Sequence, residues 1–334
     1  MTRRISRPKG IISPSTRAWF RETRQVKDLS FFDLVHSYIY ARWPFFYIRV
    51  GTGQHPLTRL IAPIAARLIE IFAHKGHEQE SQPSSISNVF ANTYHGKVVP
   101  LEAARQLVTV KEEIRAALPE SILPYDRARD IILKNPDHIV ALDCPCRVSR
   151  ENPCLPLDVC LIVGEPFASF VREHQPARSR WITSQEAEDI LKAEDQRGHV
   201  HHAFFKDAML GRFYAICNCC SCCCGAMNAQ RSGVPMLASS GYLAKVDSTL
   251  CSSCRKCEKR CPFQAIQTLP LAEGFSPTAQ VNPDACMGCG ICANLCPRQA
   301  IQLQLAPEKG EPLEIFRLMQ AAPAFNVETR SEVK

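Results

Sequence analysis

The sequence predicts an α+β protein: a mainly helical N-terminal part, a cysteine-rich middle α/β domain and a C-terminal module of duplicated strand–loop–helix–strand units. Three observations carry this expectation. Apolar residues recur at helical spacing in the first third of the chain, as in Leu57, Leu60, Ile61, Ile64, Leu68, Ile71 and Phe72. All eighteen cysteines fall between Cys144 and Cys296. Finally, "AKVDSTLCSSCRKCEKRCPFQAIQTL" recurs as "AQVNPDACMGCGICANLCPRQAIQLQ" at an offset of 35 residues. A length of 334 residues accommodates two or three domains.

Residues 1–80 read as a basic arm followed by amphipathic and aromatic helices. "LSFFDLVHSYIYARWPFFYIRVGTG" is broken by Pro44, Gly51 and Gly53, and "PLTRLIAPIAARLIEIFAHK" is the amphipathic stretch. Residues 81–120 read as linker and helix. The linker begins in the polar, serine-rich run Lys75 to Asn88, and "PLEAARQLVTVKEEIRAALP" supplies the helix. In the middle domain, 121–240, "PYDRARDIILKN" reads as a helix started by Pro124 and "HIVALDC" as a buried strand. "TSQEAEDILKAEDQRG" reads as a helix opened by Thr183 or Ser184 and closed by Gly198. The duplicated module occupies 241–305, and 306–334 is a peripheral tail.

So many thiols serve either disulfides in an exported protein or metal in a reducing compartment. Arg3 and Arg4 are followed by no uninterrupted apolar region, because Arg17, Arg21 and Arg24 interrupt it. The expectation is therefore a cytoplasmic, metal-ligating protein. Residues 1–75 hold thirteen Lys/Arg against four Asp/Glu, and the rest of the chain is slightly acidic. Such a stretch can meet the inner face of a membrane, with Trp43, Phe45, Phe46 and Tyr47 as interfacial anchors, or simply pack on the core. Neither apolar stretch reads as a transmembrane span. No helix-turn-helix pattern follows the arm, so no nucleic-acid partner is expected. Neither G-x-G-x-x-G nor a phosphate-loop pattern occurs, which leaves no nucleotide site.

Each half of the repeat reads C-x-x-C-x-x-C-x-x-x-C-P. Two-residue gaps let three thiolates on a tight loop converge, while the fourth, expected to open a helix before Pro262 or Pro297, turns to the other half. The crossed pattern assigns Cys251, Cys254, Cys257 and Cys296 to one [4Fe–4S] cluster, and Cys286, Cys289, Cys292 and Cys261 to a second. A zinc site would use four ligands in two pairs. The module resembles the bacterial two-cluster ferredoxins over residues 243–304, which implies a βαββαβ fold and electron transfer between its clusters. It departs from that pattern in the first loop, where Arg255, Lys256, Lys259 and Arg260 surround "CSSCRKC". These cations are expected to raise the first cluster's potential and to mark a docking face for an acidic partner.

Ten cysteines remain: Cys144, Cys146, Cys154 and Cys160 in one segment, and Cys217, Cys219, Cys220, Cys222, Cys223 and Cys224 in "ICNCCSCCC". Their density argues for metal ligation. One or two further iron–sulfur clusters bridging the segments, a larger cluster, or a zinc site using Cys144 and Cys146 all suit the spacing. The set of "CPCR", two following cysteines, "GHVHH", "ICNCCSCCC" and the C-terminal module resembles a poorly characterised family of anaerobic 4Fe–4S dicluster proteins over residues 120–305. That resemblance implies redox work without a defined substrate. Arg147 is a candidate to donate hydrogen bonds to cluster sulfides or to bind an anion. His199, His201 and His202 are candidates for ligation or proton transfer. The expected function is an electron-transfer protein passing single electrons between a donor and a partner oxidoreductase. The alternative is a reductase whose irregular site takes a substrate.

Overall fold

A computed structural model describes residues 12–26, 30–56, 58, 91–125, 129–270 and 277–321. The amphipathic stretch 57–72, the linker, the first eleven residues and residues 322–334 of the tail lie outside these, apart from Thr58. The described part of the tail is not peripheral, since Leu313 and Ile315 are buried in the core.

The middle of the chain is organised by an eight-stranded sheet. Its path runs β2 (Ile114–Ala117), β3 (Asp130–Leu142), β4 (Cys160–Glu165), β7 (Arg212–Cys219), β6 (Val200–Lys206), β1 (Tyr94–Val98) and β8 (Leu237–Ala238). A further strand, β5 (Ser179–Ile182), pairs with β3. Most neighbours are antiparallel; β1 and β8 run parallel. Strand alternation sorts side chains between two cores. Leu161 and Val163 of β4 face a cluster shared with α4 (Leu101–Thr109) and α7 (Ser184–Gln196). Cys160 and Ile162 face the opposite cluster, covered by α1 (Pro14–Thr23), α2 (Phe31–Arg42) and α6 (Phe167–His174).

Two stretches expected to be helical are strands. The second half of "PLEAARQLVTVKEEIRAALP" ends its helix at Thr109 and enters β2, and "DIILKN" forms the first half of β3. The two pair antiparallel, Ile114 opposite Leu133. Ladder bonds and burial of Ile114, Ile131 and Leu133 outweigh weak local helical preference. The sheet also draws β1 from the stretch expected to be linker and helix. α7 matches its sequence signals. The Thr183 side chain accepts a bond from the Glu186 amide, and Gly198 takes a left-handed φ of 80° just past the end.

The N-terminal helices pack on this body. Trp19 is fully buried against Phe167 and Phe170, Glu22 pairs with Lys134 and Arg212, and the Tyr40 and Tyr214 hydroxyls bond at 2.7 Å. With α3 (Pro44–Gly51), they cover the sheet's cysteine-bearing end. No described helix is long and apolar enough to cross a membrane.

The duplicated module forms β9 (Tyr242–Val246), α9 (Lys256–Arg260), β10 (Ile266–Leu269), β11 (Thr278–Val281), α10 (Ile291–Asn294) and β12 (Ile301–Leu305). Strands pair across the repeat, β9 with β12 and β10 with β11. The short helices precede the fourth cysteines instead of following them. Cys261 caps α9 at its C-terminal end, and Pro262 and Pro297 lie in the turns beyond. These turns bring a backbone amide back onto each sulfur, Ala265 N–H to Cys261 Sγ and Ala300 N–H to Cys296 Sγ, both at 3.3 Å. A helix begun at the cysteine would direct those amides along its own axis.

Candidate metal centres

The module folds its eight cysteines around two small cavities. Cys251, Cys254, Cys257 and Cys296 line one of about 20 Å³. Cys261, Cys286, Cys289 and Cys292 line the other, also about 20 Å³. Each cavity thus receives three thiols from one loop and the fourth from the opposite half. Their surroundings differ. Cys286, Cys289 and Cys292 are buried, and burial pushes the Cys292 thiol up to about 12. Cys254 is exposed, and the cavity it lines opens beside Arg255 and Lys256.

The two loops show why their sequences differ. Gly288 and Gly290 hold left-handed φ values of 64° and 86°. A Cβ on Gly288 would lie 2.2 Å from the Tyr242 carbonyl oxygen and 2.3 Å from Ser240 Oγ, so this loop needs glycine to dock. Ser253 and Arg255 occupy the equivalent left-handed positions in the first loop, at 53° and 57°. That loop accepts side chains at the cost of backbone strain. Arg260 turns from the first loop to the middle domain, where its Nη1 donates to the Arg197 carbonyl. Lys256 and Lys259 are exposed.

The ten irregular cysteines gather where β4 begins and β7 ends. Eight of them, Cys144, Cys146, Cys160, Cys217, Cys219, Cys220, Cys223 and Cys224, line a chamber of about 70 Å³. Six thiols form a continuous belt. Cys160 and Cys217, opposed across the β4–β7 ladder, bring their sulfurs to 3.1 Å. Cys144 bonds both Cys160 and Cys146, and Cys224 joins Cys146 to Cys219. The bond with Cys146, together with burial, pushes the Cys144 thiol up to about 12. Bare thiols here stay protonated; a bound metal would displace those protons. Cys154 and Cys222 lie outside the chamber wall and meet Cys220 and Cys223 there. Hydrogen bonds from Cys154, Cys223 and Cys220 hold the exposed Cys222 below the usual thiol range although its partial burial acts to raise it.

Sequence reasoning missed the other walls of the chamber. Tyr40, Ala41, Pro44 and Ile48 come from the N-terminal helices, and Tyr94, Phe204 and Tyr214 from the sheet. Behind the tyrosines, buried Lys206 places Nζ 4.4 Å from the Tyr94 ring centroid and 4.5 Å from that of Tyr40. Burial pulls its pKa down to about 7, against a small opposing pull from Asp207. The aromatic stretches of α2 and α3 read as interfacial anchors or as helices packed on the core; nothing in them marked the cysteine-bearing end of the sheet as the surface they would cover.

Arg147 lines the chamber, and its terminal nitrogens are spent on the protein itself. They donate to Glu194 Oε2 at 2.6 Å, to the Asn218 carbonyl at 3.0 Å and to the Pro156 carbonyl. Among the described residues only its Nε, of the guanidinium nitrogens, lacks a partner. Arg147 and Glu194 are each 1% exposed, so this is a buried ion pair. His199 donates from Nδ1 to Glu194 at 2.7 Å, and His201 from Nδ1 to Asn218 Oδ1 at 2.6 Å. His202 is fully buried, and burial with neighbouring His201 pulls its pKa down to about 3. None of the three histidines lines a cysteine cavity.

A chain of polar side chains links the module to the chamber. Asn294 Nδ2 donates to Asp195 Oδ2 at 2.9 Å, and Asp195 Oδ1 lies 3.8 Å from His201 Nε2. His201 in turn holds Asn218, which lines the chamber.

No curated protein sequence matches the chain. Residues 243–300 match the 4Fe-4S dicluster domain family. The C-terminal module is therefore a ferredoxin-like 4Fe–4S dicluster domain, an iron–sulfur unit of the kind that serves electron transfer.

Proposed function

We propose that the protein is a multi-cluster electron-transfer protein working with a partner oxidoreductase. Cys251, Cys254, Cys257 and Cys296 hold the outer [4Fe–4S] cluster. Cys286, Cys289, Cys292 and Cys261 hold the inner one, and the six-thiol belt of the chamber holds a further iron–sulfur cluster. Bound clusters supply one-electron chemistry. The chain supplies ligands, dry surroundings and fixed relative placement. The carrying observation is the arrangement of thiols: two crossed quartets, one partly exposed and the other mostly buried, followed by a third thiol-lined cavity with more room than either. The buried quartet lies on the side docked to the middle domain, where Ser240 Oγ donates to the Gly288 carbonyl at 2.7 Å. The more exposed quartet, flanked by Arg255, Lys256 and Lys259, suits an acidic partner.

A second reading draws on the chamber itself. It is walled by eight cysteines, three tyrosines and apolar side chains, as a reductase pocket would be. The exposed apolar stripe of Phe31, Phe32, Val35, Ile39, Trp43 and Phe46 suits the peripheral membrane contact expected of residues 1–75. Phe45 and Tyr47 instead turn inward, Phe45 beneath the Arg178 guanidinium and Tyr47 against Tyr40.

Anaerobic purification with iron and sulfide quantified per chain tests the proposal. About twelve irons per chain, four for each of three clusters, are expected. Stepwise reduction should show cluster signals without turnover of small oxidants. Colourless protein, or zinc in place of iron at the duplicated loops, refutes it. Turnover of an oxidant without a partner favours the reductase.

A further inference from the structure

The ten irregular cysteines divide into two sites of different size. The Sγ atoms of Cys154, Cys220, Cys222 and Cys223 all lie within 4.8 Å of one another. Cys154 and Cys222 approach to 3.0 Å, and Cys222 and Cys223 to 3.7 Å. Four thiolates at about 2.3 Å from one tetrahedral ion stand about 3.8 Å apart. A cubane spreads its thiolates more widely, because each binds a different corner iron. The same chain provides the comparison: neither C-terminal quartet satisfies the 4.8 Å spacing, although each surrounds a cavity.

We propose that Cys154, Cys220, Cys222 and Cys223 bind a single tetrahedral zinc ion, separate from the cluster held by the inner belt. Four thiolates close the coordination sphere, leaving no position for water or substrate, which is the arrangement of a structural zinc. Its place in the fold gives it a task. Cys154 lies on the loop between α5 (Pro145–Val148) and β4, whereas the other three lie in the turn between β7 and α8 (Gly225–Arg231). The ion ties these segments together. Cys220 and Cys223 also line the chamber, so the tie holds its outer wall shut. Arg150, donating to the Cys223 carbonyl at 3.4 Å, and Arg231, donating to the Ser221 carbonyl, brace the same turn. The inference rests on metal ligation by the irregular cysteines and is independent of the C-terminal clusters.

The test uses the full chain purified without oxygen, with zinc, iron and sulfide measured per chain. Cys154→Ser and Cys222→Ser are the variants, because neither residue lines the chamber. One zinc per chain is expected in the parent protein. Each variant should lose it while iron and sulfide stay unchanged. Zinc-edge X-ray absorption of the parent should show four sulfur neighbours at about 2.3 Å and no iron neighbour. Loss of iron together with sulfide in either variant overturns the proposal in favour of a cluster. Loss of one iron without sulfide overturns it in favour of mononuclear iron, and zinc retained in both variants overturns it outright. Should neither variant accumulate, the parent's absorption spectrum decides alone, and absence of zinc there refutes the site. Absence of iron and sulfide from the parent would instead refute the electron-transfer reading, whatever its zinc content.

Discussion

Replacing Arg147 with Met should cost far more than its volume suggests. The guanidinium sits beside the cysteine chamber, 1% exposed, and its partner Glu194 is equally buried. Removing it strands the Glu194 carboxylate and leaves the Asn218 and Pro156 carbonyls without their donor. His199 and Arg197 still reach Glu194, at 2.7 and 3.0 Å, so the charge is not wholly abandoned. Breaking a buried pair from one side costs about 3–5 kcal/mol. For a body of this size that is on the order of 10 °C in melting temperature. The assay is thermal unfolding at fixed scan rate, followed by far-UV circular dichroism and visible absorbance on anaerobic protein. A double-mutant cycle sharpens it. Arg147→Met combined with Glu194→Met should cost clearly less than the two single changes added, because no buried charge remains unpaired. Acid titration supplies a second readout. Burial acts to raise the Glu194 pKa, but hydrogen bonds from His199 and Arg147 prevail and hold it below the usual carboxylate range. Its stabilising share is therefore present above the unfolded carboxylate value and lost as pH falls through the lowered folded one. In Arg147→Met that acid-side loss should shrink. A single-mutant cost under about 1 kcal/mol, or strict additivity in the cycle, refutes the reasoning.

Two further outcomes follow from backbone strain and from a buried amine. Gly288→Ala should destabilise the module by about 2–5 kcal/mol, since its Cβ meets backbone at a left-handed position, whereas Arg255→Gly should be neutral or stabilise by about 1 kcal/mol. Denaturant titration monitored by visible absorbance compares them, and equal effects would contradict the docking account of the second loop. Lys206, with its pKa drawn down to about 7, binds fewer protons folded than unfolded between that value and the ordinary lysine range. Stability should therefore rise with pH above about 7, by up to about 1.4 kcal/mol per pH unit from this group. Lys206→Met should reduce that slope in denaturant melts at pH 7 to 9, leaving the share of Lys97, which burial also lowers to about 7. An unchanged slope would mean that Lys206 keeps its proton among the tyrosines.

Local signals carried part of this protein into its sequence. The duplicated spacing announced two crossed quartets, because two-residue gaps on a tight loop leave thiols few ways to converge. Thr183 and Gly198 bounded α7 because caps act within one helical turn. Other features depended on distant partners. "IRAALP" and "DIILKN" became strands only because each offers the other a ladder and a buried face. Arg147 followed "CPC" as a sulfide donor would, yet Glu194, 47 residues away, claims its guanidinium. The N-terminal aromatic residues wall a chamber because the sheet presents Tyr94 and Tyr214 to them. The division of ten thiols into a belt of six and a tight quartet was likewise invisible in the sequence. Neighbouring side chains along "ICNCCSCCC" diverge, so spacing alone leaves their sides unassigned. The amino-acid order determined that many thiols would crowd together; the packing of β4, β7 and their loops decided which thiols meet, because a partner is fixed by the fold around it and not by its distance along the chain.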